Sequence, residues 1–155
     1  MKLPYKRSHP AAVPPKFAHD TDACFDLTAA TREISGTTAI YDTGLVFDIP
    51  AGYMLKVFSR SGHGFKLDLD LSNGTGIIDA GYTDTVKVKM RYSDPFFYQR
   101  ILRVLRARPD VGWPTIGERI AQARLEKNVK TDLVEVDEID KETERGDGGI
   151  GSTGK

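Results

Sequence analysis

Only one cysteine, Cys24, occurs in the 155 residues, and the three histidines, His9, His19 and His63, are scattered. This excludes an intramolecular disulfide and any zinc site built on several thiolates, and a structural zinc is not expected. Net charge is missing too, because 22 Lys and Arg balance 22 Asp and Glu. A general nucleic-acid coat draws its affinity from phosphate neutralisation, so stable nucleic-acid binding is not expected. No apolar run approaches the length of a bilayer span, and the opening MKLPYKRSHP lacks the apolar centre of a signal peptide. The expectation is a cytoplasmic protein without membrane engagement. A chain of this length is most economically one domain, large enough for a real core.

What is present reads mainly as strands. Residues 3–19 carry Pro4, Pro10, Pro14 and Pro15, which disfavour helix and suggest an extended edge segment. Within 43–59 the runs GLVFDI and YMLKVF flank the turn Pro50-Ala51-Gly52, a pattern expected of a hairpin. The clearest strand is 85–91, where Val86, Val88 and Met90 alternate with Lys87, Lys89 and Arg91. Residues 119–125 and 133–139 are further strand candidates, and the glycine-containing turns between strands favour an antiparallel sandwich or jelly roll. Residues 95–109 break this pattern. Phe97, Ile101, Leu105 and Arg108 recur at helical spacing while Arg100, Arg103 and Arg106 share another face, so a short amphipathic helix packed on the sheet is expected there. The acidic stretch 132–147 reads as a solvated strand edge and linker rather than a metal site.

Residues 145–155 read RGDGGIGSTGK, with almost nothing to bury. Glycines give backbone N–H groups open access to an anion, arginine adds a fork of donors, and Ser152 and Thr153 add two hydroxyls. Such a composition suits a flexible arm that orders over a phosphate-bearing ligand, although by itself it fits a terminal linker equally.

Four internal segments accompany this arm: 22–28 (DACFDLT), 60–64 (RSGHG), 73–82 (NGTGIIDAGY) and 117–122 (GERIAQ). In this order the five segments resemble the motifs of the homotrimeric dUTPase family, the dUTP diphosphatases, across most of the chain. The resemblance implies an all-β fold, a jelly-roll sandwich or barrel over 1–144, with the helical insertion inside 93–116 and the arm at 145–155. It also implies a trimer with active sites shared between subunits, and hydrolysis of dUTP to dUMP and pyrophosphate with Mg2+, which limits uracil in DNA and supplies dUMP for thymidylate synthesis.

The resemblance assigns roles residue by residue. Asp79 matches the catalytic aspartate that orients and deprotonates the attacking water, although Asp79-Ala80-Gly81 is also an ordinary turn composition. Asn73 and the backbone of Gly76, Ile77 and Ile78 would line the uracil pocket in a β-hairpin, with Tyr82 under the deoxyribose. Arg60, Ser61 and Gly62 match the phosphate-gripping second motif, and Gln122 resembles a further phosphate contact. Arg119 reads as a support of the site or an ion-pair partner, and Asp26 as a carboxylate near the metal, acting through water. From the arm, Arg145, Gly151, Ser152 and Thr153 would close on the phosphates, and Ile150 would cover the base.

Three positions depart from the family pattern. Cys24 and Asp84 stand where glycine is usual, and Ile150 stands where an aromatic stacks on uracil. Asp84 is expected to disturb the turn after Tyr82, and Ile150 to weaken closure of the arm and raise the Michaelis constant. Two other functions stay open at this level: a related dCTP deaminase-type enzyme, and a nucleotide-gated regulatory protein that holds a protein partner through 95–109.

Overall fold

The computed structural model describes residues 1–105 and 112–139. Its strands are β1 (Tyr5–Arg7), β2 (Phe25–Thr28), β3 (Thr31–Ser35), β4 (Thr38–Asp42), β5 (Leu45–Phe47), β6 (Tyr53–Phe58), β7 (Leu69–Leu71), β8 (Thr75–Asp79), β9 (Lys87–Tyr92) and β10 (Arg119–Lys127). Helix α1 (Ser61–Leu67) follows β6, and α2 (Pro95–Leu105) follows β9. Two four-stranded antiparallel sheets, ordered β2-β10-β6-β8 and β3-β4-β9-β7, are accompanied by a separate two-stranded pair, β1-β5. The architecture is the all-β sandwich that the sequence predicts.

Period-two burial explains the layers. On β9, Val88 and Met90 are buried while Lys87, Lys89 and Arg91 are exposed, as their alternation requires. Leu27, Leu55 and Ile120 from one sheet meet Tyr41, Leu69 and Met90 from the other in a single apolar core.

Three expectations need correction. The runs within 43–59 do form β5 and β6, joined through Gly52 at φ 79°. They do not pair as a hairpin, because β6 is flanked by β10 and β8 and has no free edge for β5, which pairs with β1 instead. Residues 133–139 form no strand: Leu133, Val134, Val136 and Ile139 are all exposed, with no ladder partner among the described residues. The hairpin expected over the third motif is likewise not formed by pairing of its own strands. The turn after β7 leads directly into β8, but β7 pairs with β9 and β8 with β6.

The described part of the insertion is helical over Pro95–Leu105, and Pro95 opens α2, where its missing N–H costs nothing. The core-facing side of α2 carries Tyr98 and Leu102. Tyr98 stacks on Tyr92 with centroids 4.0 Å apart and planes at 15°, and the Trp113 ring meets Tyr92 edge-on at 4.7 Å. Arg100 and Arg103 are exposed. Arg106 and Arg108 lie outside the described residues, as do the side chains of Phe97, Ile101 and Leu105.

Candidate active site

Strand alternation on β2 turns Phe25 and Leu27 inward and leaves Asp26 on the opposite face. Sheet register then places Asp26 across from Gln122, and Gln122 across from Phe58, two residues before Arg60. One irregularity completes the cluster. The register of β10 against β2 shifts between Arg119 and Ala121, so Ile120 and Ala121 are both buried in succession. In a regular strand Arg119 and Gln122 would point to opposite faces; the bulge brings both to the face of Asp26.

The resulting contacts are specific. Arg60 Nε donates to Asp26 Oδ1 at 3.2 Å, and Arg119 Nη1 donates to Asp26 Oδ2 at 2.9 Å. Arg60 Nη1 also donates to the Arg119 carbonyl at 3.3 Å. The Gln122 side-chain amide donates to the Ser59 carbonyl at 2.9 Å, which ties β10 to the segment leading into α1. Arg119 is thus the ion-pair partner that its position in the sequence suggests.

Arg60 is also the N-cap of α1, with extended backbone and no side-chain cap bond, so Ser61 and Gly62 open the helix. Sequence reasoning missed this helix, since Gly62 and Gly64 argue against one. It also missed Asp68, which ends α1 at φ 50°, a left-handed position usually given to glycine. A third omission is His63, which α1 buries against the core side. Burial, and then the adjacent Arg60 charge, hold its imidazole below the usual histidine range, while a hydrogen bond to the Ile120 backbone opposes the shift.

The third motif lies along β8. Asn73, Gly76, Ile77 and Ile78 line one cleft of about 490 Å³, floored by Val57 and Leu71. A Cβ at Gly76 would sit 3.2 Å from Val57 Cβ, so the close approach of β8 to β6 favours glycine there. Asp79 ends the same strand, exposed, and its carbonyl accepts from the Tyr82 N–H at 3.1 Å in the expected turn.

Other predicted residues fall elsewhere on the chain. Tyr82 donates its hydroxyl to the Thr85 carbonyl at 3.0 Å and lines a separate cleft with Tyr5 and Phe47. Arg60 and Ser61 line a third cleft with Phe65 and Asp70. Among the described residues, Arg60 and Ser61 thus line a different cleft from Asn73, Gly76, Ile77 and Ile78. Arg145, Ile150, Gly151, Ser152 and Thr153 lie outside the described residues.

The expectation for Asp84 is corrected, whereas Ile150 lies outside the described residues. Asp84 does not strain its turn, because Asp68 alone among the described non-glycine residues has positive φ. Its carboxylate instead accepts from the Thr85 N–H and from Lys87 Nζ, each at 2.7 Å, and the Lys87 contact holds it below the usual carboxylate range. Cys24 is a free thiol, pushed up by burial and so a weak nucleophile. Among the described residues no three His, Cys, Asp or Glu side chains cluster to hold a metal ion. No helix among them is long and apolar enough to cross a membrane.

Comparison with known proteins gives a consistent picture. No family model matches the chain. Over 158 residues it is 34% identical to the deoxyuridine 5'-triphosphate nucleotidohydrolase of Nautilia profundicola, covering 100% of both chains. The Thermobifida fusca protein of the same name is 32% identical over 156 residues, covering 99% of this chain and 79% of the relative. Among solved structures, the Staphylococcus bacteriophage 80alpha dUTPase with dUPNHPP superposes with a TM-score of 0.77 at 26% identity, covering 99% of each chain.

Proposed function

The chain belongs to the deoxyuridine 5'-triphosphate nucleotidohydrolase family, and from that premise we propose that it hydrolyses dUTP to dUMP and pyrophosphate. The observation that carries the site assignment is the cleft on β8, which has Asn73, Gly76, Ile77 and Ile78 on its wall and Asp79 at the end of the same strand.

Uracil enters this cleft and is read by the Asn73 amide and the backbone groups of Gly76, Ile77 and Ile78. Rigid walls reject the methyl group of thymine, while unmet polar groups penalise the wrong base edge. Tyr82 packs under the deoxyribose, where a ribose hydroxyl would crowd the ring. Asp79 accepts a proton from the water as its oxygen bonds to the α phosphorus, and the phosphoanhydride bond to the β phosphate breaks with pyrophosphate leaving. Arg60, Ser61, Gly62 and Gln122 hold the phosphate chain, and Arg145, Gly151, Ser152, Thr153 and Ile150 of the 145–155 arm close over it, shutting bulk solvent but not the attacking water out of the 1–144 domain's site. Such a reaction suits the cytoplasm, where a lone free thiol stays reduced.

Asp26 accepts two arginine bonds and has lone pairs left with which it would hold a water of a bound Mg2+ ion. An ion carried mainly by the triphosphate would need no carboxylate cage, and it would supply charge neutralisation at the phosphoryl oxygens.

The assembly is a homotrimer whose sites combine residues of different subunits. Its support is the separation of the β8 cleft from the Arg60 cleft, together with the exposed apolar side chains of Val129, Leu133, Val134, Val136 and Ile139, Leu133 being 94% exposed. A protein-docking role for α2 coexists with catalysis. It rests on Phe96, which is 85% exposed beside the Arg100 and Arg103 face. Removal of residues 95–109 abolishes partner capture if that role is real, and unchanged capture refutes it.

Pyrophosphate release from dUTP, run beside dTTP, dCTP and UTP, tests the main reading. Asp79→Asn lowers kcat by about 10²–10⁴, the usual value of a general base, while the protein still binds non-hydrolysable dUTP. No turnover by the folded wild-type trimer would overturn the assignment.

A further inference from the structure

We propose that Arg119 is a positioning residue that acts through Asp26 on Arg60, fixing the Arg60 guanidinium toward the triphosphate without itself gripping a phosphate. The inference rests on the dUTP reading above and deepens it. Its basis is the way the two arginines share one carboxylate. Each Asp26 oxygen accepts from a different guanidinium, Arg60 on Oδ1 and Arg119 on Oδ2.

A carboxylate with one arginine partner can turn about its last torsion, which is soft and roughly two-fold, and carry that partner with it. A second arginine on the other oxygen removes this freedom. Arg119 contributes a further tie through its backbone, since its carbonyl accepts from Arg60 Nη1 at 3.3 Å. Arg60 is thereby held on two sides, by a carboxylate on Nε and by a carbonyl on Nη1, which leaves its outer edge for the ligand.

Exposure separates the partners by role. The Asp26 and Arg60 side chains are mostly buried, at 15% and 22% exposed, and charge-assisted bonds out of bulk water are the stronger ones. The Arg119 side chain is half exposed, yet the bulge in β10 aims it at Asp26. Bulges beside functional sites commonly re-aim a side chain in this way. Gln122 sits on the same face, three residues on, and braces Ser59 just before Arg60. All three elements therefore converge on the orientation of one guanidinium.

A double-mutant cycle on the full-length assembly tests this. Affinities for the imido analogue of dUTP and for dUMP are measured by calorimetry, with magnesium and again in EDTA, for Arg119→Met, Arg60→Met and the pair. Arg119→Met is expected to weaken the imido analogue about tenfold in both conditions, within the range of contacting charged pairs, while dUMP binding stays within about twofold because no β or γ phosphate is involved. The double variant should be no weaker than Arg60→Met alone, since Arg119 has nothing left to position. Losses that add would mean that Arg119 contacts the phosphates independently. An equal loss of dUMP binding would mean general damage to the scaffold, and a loss seen only with magnesium would mean a metal role for the cluster; each overturns the proposal. Should Arg119→Met fail to fold, Arg119→Lys keeps the charge and enters the same cycle. Failure of the wild-type protein to bind the imido analogue would count against the dUTP reading itself, whereas wild-type binding with additive losses refutes only the positioning role.

Discussion

His63 shows how one residue in the second motif links the site to pH. Its imidazole is buried on α1 and held below the usual value by burial and by Arg60, with Arg119 adding to the effect and Glu118 opposing it. The folded chain therefore binds this proton less readily than the unfolded chain, in which histidine titrates near 6.5. Stability from the neutral imidazole is complete above about pH 6.5 and is lost as pH falls below it, with a slope of at most about 1.4 kcal/mol per pH unit. His63→Leu should flatten the fall in melting temperature between about pH 7.5 and 5.5, measured by calorimetry. An unchanged slope would assign the acid sensitivity to other groups. Ile150 is a second residue with a kinetic consequence. In its proposed place over uracil, an isoleucine would offer apolar contact without ring stacking, worth about 0.5–1.5 kcal/mol. Ile150→Phe is accordingly expected to lower the Michaelis constant for dUTP severalfold with turnover little changed. Equal Michaelis constants would show that the arm does not cover the base.

Elements differ in how far their sequences reveal them. Strand β9 is legible because Val88 and Met90 alternate with lysines and arginine, and one strand face is buried. Helix α1 is not legible, since seven residues with Gly62 and Gly64 give no period to read. Nor does local pattern say which strand a run will join, so β5 and β6 read as a hairpin while tertiary contacts send them to different partners. The Asp26, Arg60 and Arg119 cluster is hidden for a similar reason: spacing alone puts Arg119 and Gln122 on opposite faces, and only the bulge at Ile120 reunites them. Helix α2 was legible as a helix, but not in what anchors it. Tyr98, Tyr92 and Trp113 form that anchor, and Gly112 fits beneath it at φ 83°, where a Cβ would meet the Tyr92 hydroxyl at 2.5 Å. Gly112→Ala should therefore destabilise the protein by about 1–3 kcal/mol, lowering the melting temperature by roughly 2–4 °C per kcal/mol. Catalysis should persist below the new transition. A melting temperature within error of wild type would show that the loop and the Tyr92 ring relax freely around the methyl group.

For the whole molecule, the separation of the clefts makes a quantitative demand. If Asp79 acts on a nucleotide whose phosphates are held by Arg60 of another subunit, two inactive chains can complement each other. Asp79→Asn chains retain Arg60, and Arg60→Met chains retain Asp79. In a trimer with cyclic symmetry each site draws one residue from each of two neighbours, so random one-to-one mixing makes about one site in four complete. Unfolding the two variants together and refolding them should restore about a quarter of wild-type turnover, whereas mixing without subunit exchange restores none. The complete sites should show the wild-type Michaelis constant, because nothing in them is altered. If both residues belonged to one chain, no mixture could build a complete site, and refolded mixtures would stay as inactive as their parents. Fractional recovery with an unchanged Michaelis constant is therefore a signature that only shared sites produce.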